Sequence, residues 1–207
     1  MKKLAITTLL LILVPALFPQ SSAPAVDLDK KVRTYLNSQK GKWGHSIPDS
    51  DGKILHDLII KNNYTRAVEI GTGIGHSAIW MAWALSKTGG KHITIDINDP
   101  RYREALARFR EAGLSAYIDA RSADALKLLP ELPGPFDFVF MDAPTILARK
   151  FFDSVSSNLV VGGRYISHGV SEGDPAEYVN YLKSLKNYQT TFNTGGDFCA
   201  TLKTSER

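Results

Sequence analysis

Glycines stand at every second position, Gly71, Gly73 and Gly75, in the run VEIGTGIGHS, with Glu69 before them, Thr72 among them and Ser77 after them. Glycine lets a backbone approach a ligand closely and take dihedrals that side chains forbid. A dinucleotide fingerprint is G-x-G-x-x-G, with a helix start aimed at a pyrophosphate. Here the third glycine comes one residue early, and a carboxylate at Glu69 would repel a pyrophosphate. It suits a ligand with an ammonium or other cationic group. Asp96 follows 21 residues after Gly75, and a carboxylate there can accept both hydroxyls of a ribose. Together these residues ask for an adenosine ligand with an amino-acid tail and no phosphates. S-adenosylmethionine (SAM) fits. Each residue alone could equally belong to an ordinary glycine-rich turn; strand, loop, helix and acid in this order make that reading the weaker one.

These residues are placed by an alternating pattern of elements. After helices expected over 27–39 and from Lys53, AVEI (67–70) reads as a strand, the glycine loop follows, and SAIWMAWAL is an apolar helix. HITIDI (92–97) is a second strand. Asp99 and Pro100 read as N-cap and first helical residue. Tyr102, Ala105, Leu106 and Phe109 share one helical face, and Gly113 ends that helix. AYIDA (116–120) is a third strand, and DALKLLPEL a short helix. FDFVFM (136–141) is nearly all apolar, as a strand covered on both faces should be. FFDSVSSNL is helical. A turn at Gly162–Gly163 leads into a fifth strand, RYIS, which delivers His168 to its end. PAEYVNYLKSL is a helix, and two strand-like runs around GGD close the chain as a hairpin. Strands alternating with helices predict a doubly wound, mostly parallel α/β sheet with a C-terminal antiparallel hairpin. In such sheets ligands sit beyond the carboxyl ends of the strands. Glu69 to Gly75, Asp96, Ser122 to Asp124, Asp142 to Thr145 and Ser167 to Gly169 all fall on that rim.

From about Ile47 to Lys203 the sequence resembles the class I SAM-dependent methyltransferases, specifically the small O-methyltransferases related to catechol and caffeoyl-coenzyme A O-methyltransferases. VEIGTGIGHSAIWMAWAL is similar to the cofactor loop and first helix of that family, and TIDIN to its ribose-binding strand end. SADALKLLPEL, FDFVFMDA, NLVVGGRYI and GGDFCATLK follow in the same order. The resemblance implies a Rossmann-like seven-stranded sheet. It implies that Glu69, Gly71, Gly73 and Ser77 line the methionine side of the cofactor, that Asp96 holds the ribose, and that Ala123 and Asp124 lie near the adenine. A plainer role for Asp124 is a first-turn acid of its own helix. In the family the region matching GKWGHSIP helps cover the acceptor, which makes Trp43 and His45 substrate-side candidates. A loop tryptophan packed on the domain is the commoner arrangement.

The resembled family deprotonates its acceptor with the help of a divalent cation. Its ligands are an aspartate after strand four and an Asp-Asn pair after strand five, with a lysine near the first aspartate. Asp142 matches the first aspartate. The lysine position falls on Thr145, a further substrate-side candidate, and the pair falls on His168 and Gly169. Three readings are open. His168 is a general base, since an imidazole titrates near neutrality, and no metal is needed. Or Asp142 and His168, with His45, hold a softer cation such as zinc or manganese. Or the catalytic centre is lost and only cofactor binding remains. The structural alternatives are a His168 satisfied by a backbone carbonyl and an Asp142 that N-caps the helix beginning near Pro144.

The 207 residues, 43% of them hydrophobic, suffice for one ordinary domain. MKK followed by the apolar run 4–18 and by Ser21 and Ala23 reads as a secretory signal peptide over 1–23, leaving a methyltransferase domain over 24–207 and no stable membrane span once the leader is removed. Two of the 25 basic residues leave with the leader, so against 21 acids the mature net charge is +2. That is too weak to argue for nucleic acid. Cys199 is the single cysteine, so no intramolecular disulfide can form. Export conflicts with a cofactor made in the cytoplasm; a non-standard start at Val26 or Leu28 would instead leave the protein cytoplasmic. The expected function is O-methylation of a small hydroxylated acceptor, with aromatic ones among the candidates. The alternative is an exported non-catalytic nucleoside- or SAM-binding protein on the same fold. Relatives in the family often dimerise, so a homodimer is a possible assembly.

Overall fold

A computed structural model describes residues 25–44, 46–170, 175–192 and 197–206. The leader read over 1–23, His45 and the GG of the terminal turn lie outside the described residues. Among the described residues no helix is long and apolar enough to cross a membrane.

Seven strands of the described residues form one sheet: β1 (Arg66–Ile70), β2 (Lys91–Asp96), β3 (Ile118–Ser122), β4 (Phe136–Met141), β5 (Leu159–His168), β6 (Tyr188–Phe192) and β7 (Phe198–Lys203). Their order is β3-β2-β1-β4-β5-β7-β6. β1 to β5 run parallel, and β7 is antiparallel to both β5 and β6. The order reverses between β1 and β4, so a crevice opens beyond their carboxyl ends. This is the doubly wound sheet with a terminal hairpin that the alternating pattern predicted.

Among the described residues seven helices cover the sheet: α1 (Ala25–Ser38), α2 (Asp49–Asn62), α3 (His76–Thr88), α4 (Asp99–Ala112), the short α5 (Ala125–Leu128), α6 (Ala148–Val155) and α7 (Pro175–Ser184). β4 shows how the layers are built. Phe138 and Phe140 face the cluster that includes Leu55 and Ile59 of α2 and Met81 and Leu85 of α3. Val139 and Met141 face the opposite cluster, with Phe152 of α6 and Leu182 of α7. All four are fully buried, and each such burial contributes about 1.5–3 kcal/mol. That two-sided burial is why the strand reads as an unbroken apolar run.

α3 is buried almost all round, because α2 and α4 press on it while it packs on β1 and β2. Gly52 makes the first contact possible. A Cβ there would lie 2.1 Å from the Trp80 ring.

Several boundaries differ from the sequence expectation. α2 starts at Asp49 and not Lys53, because its first turn is the acidic stretch DSD. The cap of α4 is Asn98, whose side chain accepts from the Arg101 amide; Asp99 is already helical. β3 begins at Ile118, after a tight turn over Ser115–Tyr117. Gly162 and Gly163 are not a turn between elements: β5 runs through them, with a shift of register against β4 between Phe136 and Phe138. The bulge uses the left-handed backbone of Gly162, at φ +85°.

Candidate functional site

A cavity of about 440 Å³ opens beyond the ends of β1, β2 and β4. Its wall includes Gly71, Thr72, Gly73, His76 and Ser77, with Asp96, Ala123, Asp124 and Asp142. The glycine loop is folded onto its neighbours by backbone bonds. The Gly71 and Thr72 amides both donate to the Ile95 carbonyl, at 2.9 and 3.3 Å. Gly71 has φ +96°, and a Cβ on it would lie 2.1 Å from the Asp142 carbonyl oxygen. Gly73 has φ +52° and open space where its side chain would be. A ligand can therefore approach its backbone directly. Gly75 is different. A Cβ on it would lie 2.5 Å from Phe109, so this glycine lets α4 pack and does not line the cavity.

Asp96 ends β2 with both oxygens held. Oδ2 accepts from the Gly73 amide at 2.7 Å and Oδ1 from the Asn98 amide at 2.7 Å. Each carboxylate oxygen keeps acceptor capacity for a further hydroxyl. Asp124 caps α5, accepting from the Leu126 amide at 2.9 Å, while still forming part of the wall. Three carboxylates, Asp96, Asp124 and Asp142, face this space with Arg101 beside them. The balance favours a cationic ligand over a phosphate.

Glu69 corrects the expectation that its carboxylate faces the ligand. Its side chain lies on the sheet face covered by α3, is 0% exposed, and is absent from the cavity wall. Ser77 Oγ donates to Oε1. Thr94 Oγ1 donates to Oε2 at 2.5 Å, and His92 Nε2 lies 3.2 Å from the same oxygen. Thr94 thus uses its proton on Glu69, so Thr72 Oγ1, 2.6 Å away, donates to Thr94. The carboxylate is a buried anchor tying the glycine loop, α3 and β2 together.

Trp43 is likewise internal. It is buried and stacks on His76, with ring centroids 3.9 Å apart and planes 10° apart, and the Arg108 guanidinium lies over it at 4.9 Å. It does not reach the cavity; its neighbours Ser46 and Ile47 do. His76 Nδ1 is 2.9 Å from the Ile47 carbonyl, and its Nε2 lies 2.9 Å from Asp49 Oδ1 and 3.1 Å from Trp80 Nε1. Burial holds the His76 pKa below its ordinary value, against the opposing pull of Asp49.

At the other rim, β4 pairs with β5, Met141 opposite Ser167. Asp142 and His168 follow on those strands, and His168 Nδ1 lies 3.2 Å from Asp142 Oδ1. His168 Nε2 is 3.4 Å from Asp51 Oδ2 in the first turn of α2. Burial works against a charge on His168. The Asp142 hydrogen bond, with the charges of Asp142, Asp51 and Asp197, outweighs it and raises the pKa above the ordinary value. Neither structural alternative is realised: His168 meets carboxylates, and the turn at Thr145–Leu147 has no side-chain cap.

The O-methyltransferase family profile matches residues 22–170. The chain belongs to this O-methyltransferase family. It is 35% identical over 141 residues to a catechol O-methyltransferase of Niastella koreensis, covering 64% of this chain and 63% of that protein. It is 31% identical over 141 residues to a caffeoyl-CoA O-methyltransferase-like protein of Arabidopsis thaliana, covering 66% and 60%. The chain therefore spans a little under two thirds of the length of these two relatives. Among solved structures, the O-methyltransferase TomG of Streptomyces achromogenes, in complex with SAM, aligns at a TM-score of 0.68 and 25% identity, covering 86% of this chain and 89% of that one. The Bacillus cereus O-methyltransferase in complex with SAH aligns at 0.70 and 20% identity over 90% and 94%, which speaks to the fold.

Within this family the divalent-cation site is the point of departure. Among the described residues, no group of three or more His, Cys, Asp or Glu has the geometry to hold a metal ion. Magnesium asks for about six oxygens in near-octahedral array. Here Asp142 faces an imidazole, and Gly169, at φ +68°, contributes no side chain. The residues do not fit that cation. Thr145 opens the turn between wall residues Pro144 and Leu147 but is not itself in the wall. Sequence reasoning missed Asp51, His76 and Arg101. Asp51 carried a signal, an acid in the first turn of an apolar helix, but nothing local shows that it is 3% exposed.

Proposed function

We propose that this O-methyltransferase uses SAM to methylate a hydroxyl of a small, aromatic acceptor. The observation that supports it most is the join between Asp96 and Gly73 in the cavity wall: a carboxylate at a second-strand end and an open glycine backbone, bonded to one another. Asp96 would hold the ribose hydroxyls, Gly71 and Gly73 the amino-acid tail, and Ala123 and Asp124 the adenine side. The SAM complex of the 25%-identical TomG and the catechol O-methyltransferase name of the Niastella relative support cofactor and acceptor class.

When bound, SAM supplies an electrophilic methyl group, so that the acceptor oxygen gains the O–CH₃ bond as the S–CH₃ bond breaks and its electron pair stays on sulfur. The chain's own task is to position the acceptor and take its proton. Asp142 accepts from His168 Nδ1–H and fixes the ring, leaving Nε2 to receive the hydroxyl proton. The imidazolium that results is stabilised by Asp142 on one side and Asp51 on the other, the logic of a carboxylate behind a histidine base. The reading of a non-catalytic binding protein draws no support from the site or the comparisons.

Calorimetric titration of residues 24–207 with SAM and SAH is the test, followed by methyl transfer to a catechol acceptor. Micromolar binding of both and methylation of the hydroxyl are expected. No binding by folded protein overturns the reading.

A further inference from the structure

His168 ends β5 at the position where the resembled family places a cation ligand, and three different elements converge on its ring. Asp142 comes from the end of β4, Phe198 from β7 with centroids 5.3 Å apart, and Asp51 from the first turn of α2. Phe140 stands on a further side at 6.3 Å. Asp51 is the residue that nothing else explains. Its side chain is 5% exposed, and a buried carboxyl is costly unless it is paired. Its neighbours are the Ser50 hydroxyl, at 3.2 Å, and His168 Nε2. It is not a surface acid of a helix start, since α2 is pressed against α3 at Gly52, the next residue. That close approach seats Asp51 over the imidazole.

We propose that Asp51 is a positioning residue that, with Asp142, clamps the His168 ring in the place of the divalent cation, so that methyl transfer here needs no metal ion. The inference rests on the methyltransferase reading for its kinetic consequence, but the clamp itself is observable without turnover. Two carboxylates face the two ring nitrogens, at 3.2 and 3.4 Å, so the ring, once it has taken a proton on Nε2, supplies between them the positive charge that a cation would. Phe140 and Phe198 border the ring and lower the polarity around the buried Asp51 contact, which strengthens its attraction. The proton that leaves the acceptor hydroxyl ends on Nε2, beside Asp51, and returns to solvent when the product departs.

Asp51→Asn keeps the shape and removes the charge. Three measurements on wild type and this variant decide the matter, with circular dichroism to confirm folding. First, the ¹⁵N signals of the His168 ring, assigned through a His168→Gln variant, are expected to shift in Asp51→Asn; unchanged ring signals overturn the clamp. Second, Mn²⁺ titration followed by electron paramagnetic resonance is expected to show no site in wild type; a site lost in Asp142→Asn overturns the replacement of the cation. Third, turnover is expected to be unaffected by EDTA, and kcat to fall at least tenfold in Asp51→Asn with the KM for SAM unchanged; loss of activity in EDTA, or an unaltered kcat, overturns the inference. Failure of SAM to bind would be seen separately by calorimetry, and would count against the methyltransferase reading while the first two measurements still judged the clamp.

Discussion

The Gly73 amide donates to Asp96 Oδ2 at 2.7 Å, which makes the glycine loop and the end of β2 one unit of the cavity wall. Asp96→Ala removes that acceptor, the one for the Asn98 amide, and the carboxylate offered to a ribose. Its affinity for SAM and SAH is expected to fall by about 10- to 100-fold, which is about 1.4–2.8 kcal/mol. Calorimetry reads this directly. Wild-type affinity in the variant would remove Asp96 from the ribose role.

Glu69 behaves as a structural residue. Three side chains, Ser77, Thr94 and His92, converge on its fully buried carboxylate. Glu69→Ala strands them, and hydrogen bonds to a charged group contribute about 1.5–3 kcal/mol each before relaxation. The unfolding free energy from urea titration is expected to drop by about 3–5 kcal/mol, at the upper end of single substitutions. A variant as stable as wild type, but unable to bind SAM, would instead mean a direct ligand contact.

Gly71→Ala sets a Cβ 2.1 Å from the Asp142 carbonyl, on a backbone at φ +96°. Left-handed strain of this kind costs about 1–3 kcal/mol, and the clash comes on top. The end of β4 must move, so turnover is expected to fall together with stability. Gly73→Ala has space for its Cβ, and should lose SAM affinity with a smaller loss of stability. Equal melting temperatures for the two variants would contradict this contrast.

His168→Ala removes the proposed base while leaving Asp96 and the glycine loop intact. Turnover is expected to fall by about 10²- to 10⁴-fold, with SAM affinity close to wild type. Unchanged turnover would exclude the base role. Since the base must be neutral to act and its pKa is raised, kcat/KM is expected to climb with pH above about 6.5, an unperturbed imidazole value.

Stability responds to pH with opposite signs at different histidines. Burial lowers the pKa of His56 and of His76 from 6.5. The unfolded chain therefore binds protons first, and their contribution is complete above pH 6.5 and lost as pH falls through the folded values. His168 contributes in the other sense: its share is complete below 6.5 and is lost as pH rises through its raised pKa. Thermal midpoints are expected to fall between about pH 7 and about pH 5, less steeply in His56→Gln. An identical acid slope in that variant would mean that His56 is not a source.

The sheet was legible because strand and helix periods alternate cleanly. β4 announced itself as a doubly covered strand, and Gly113 as the end of α4. The cofactor rim was legible for the same reason: once strands are parallel, the residues after each one share an edge, which placed Asp96, Ala123, Asp124 and Asp142 together before any contact was known.

The sequence by itself determined which residues reach that edge; it did not determine which way each one turns. A single residue's offset along a strand exchanges the two faces of the sheet, so Glu69, at a strand end beside the glycine loop, reads as a ligand contact but is folded under α3. Trp43 reads as a cover for the acceptor but is locked between His76 and Arg108. The pairing of His168 with Asp51 joins residues 117 positions apart and depends on how closely α2 sits on α3, which Gly52 permits and no local pattern encodes. Periodicity is a local property of the chain, whereas the seating of one helix on another is set by side chains distant in sequence. Only the tertiary structure could place a carboxylate on each side of that imidazole.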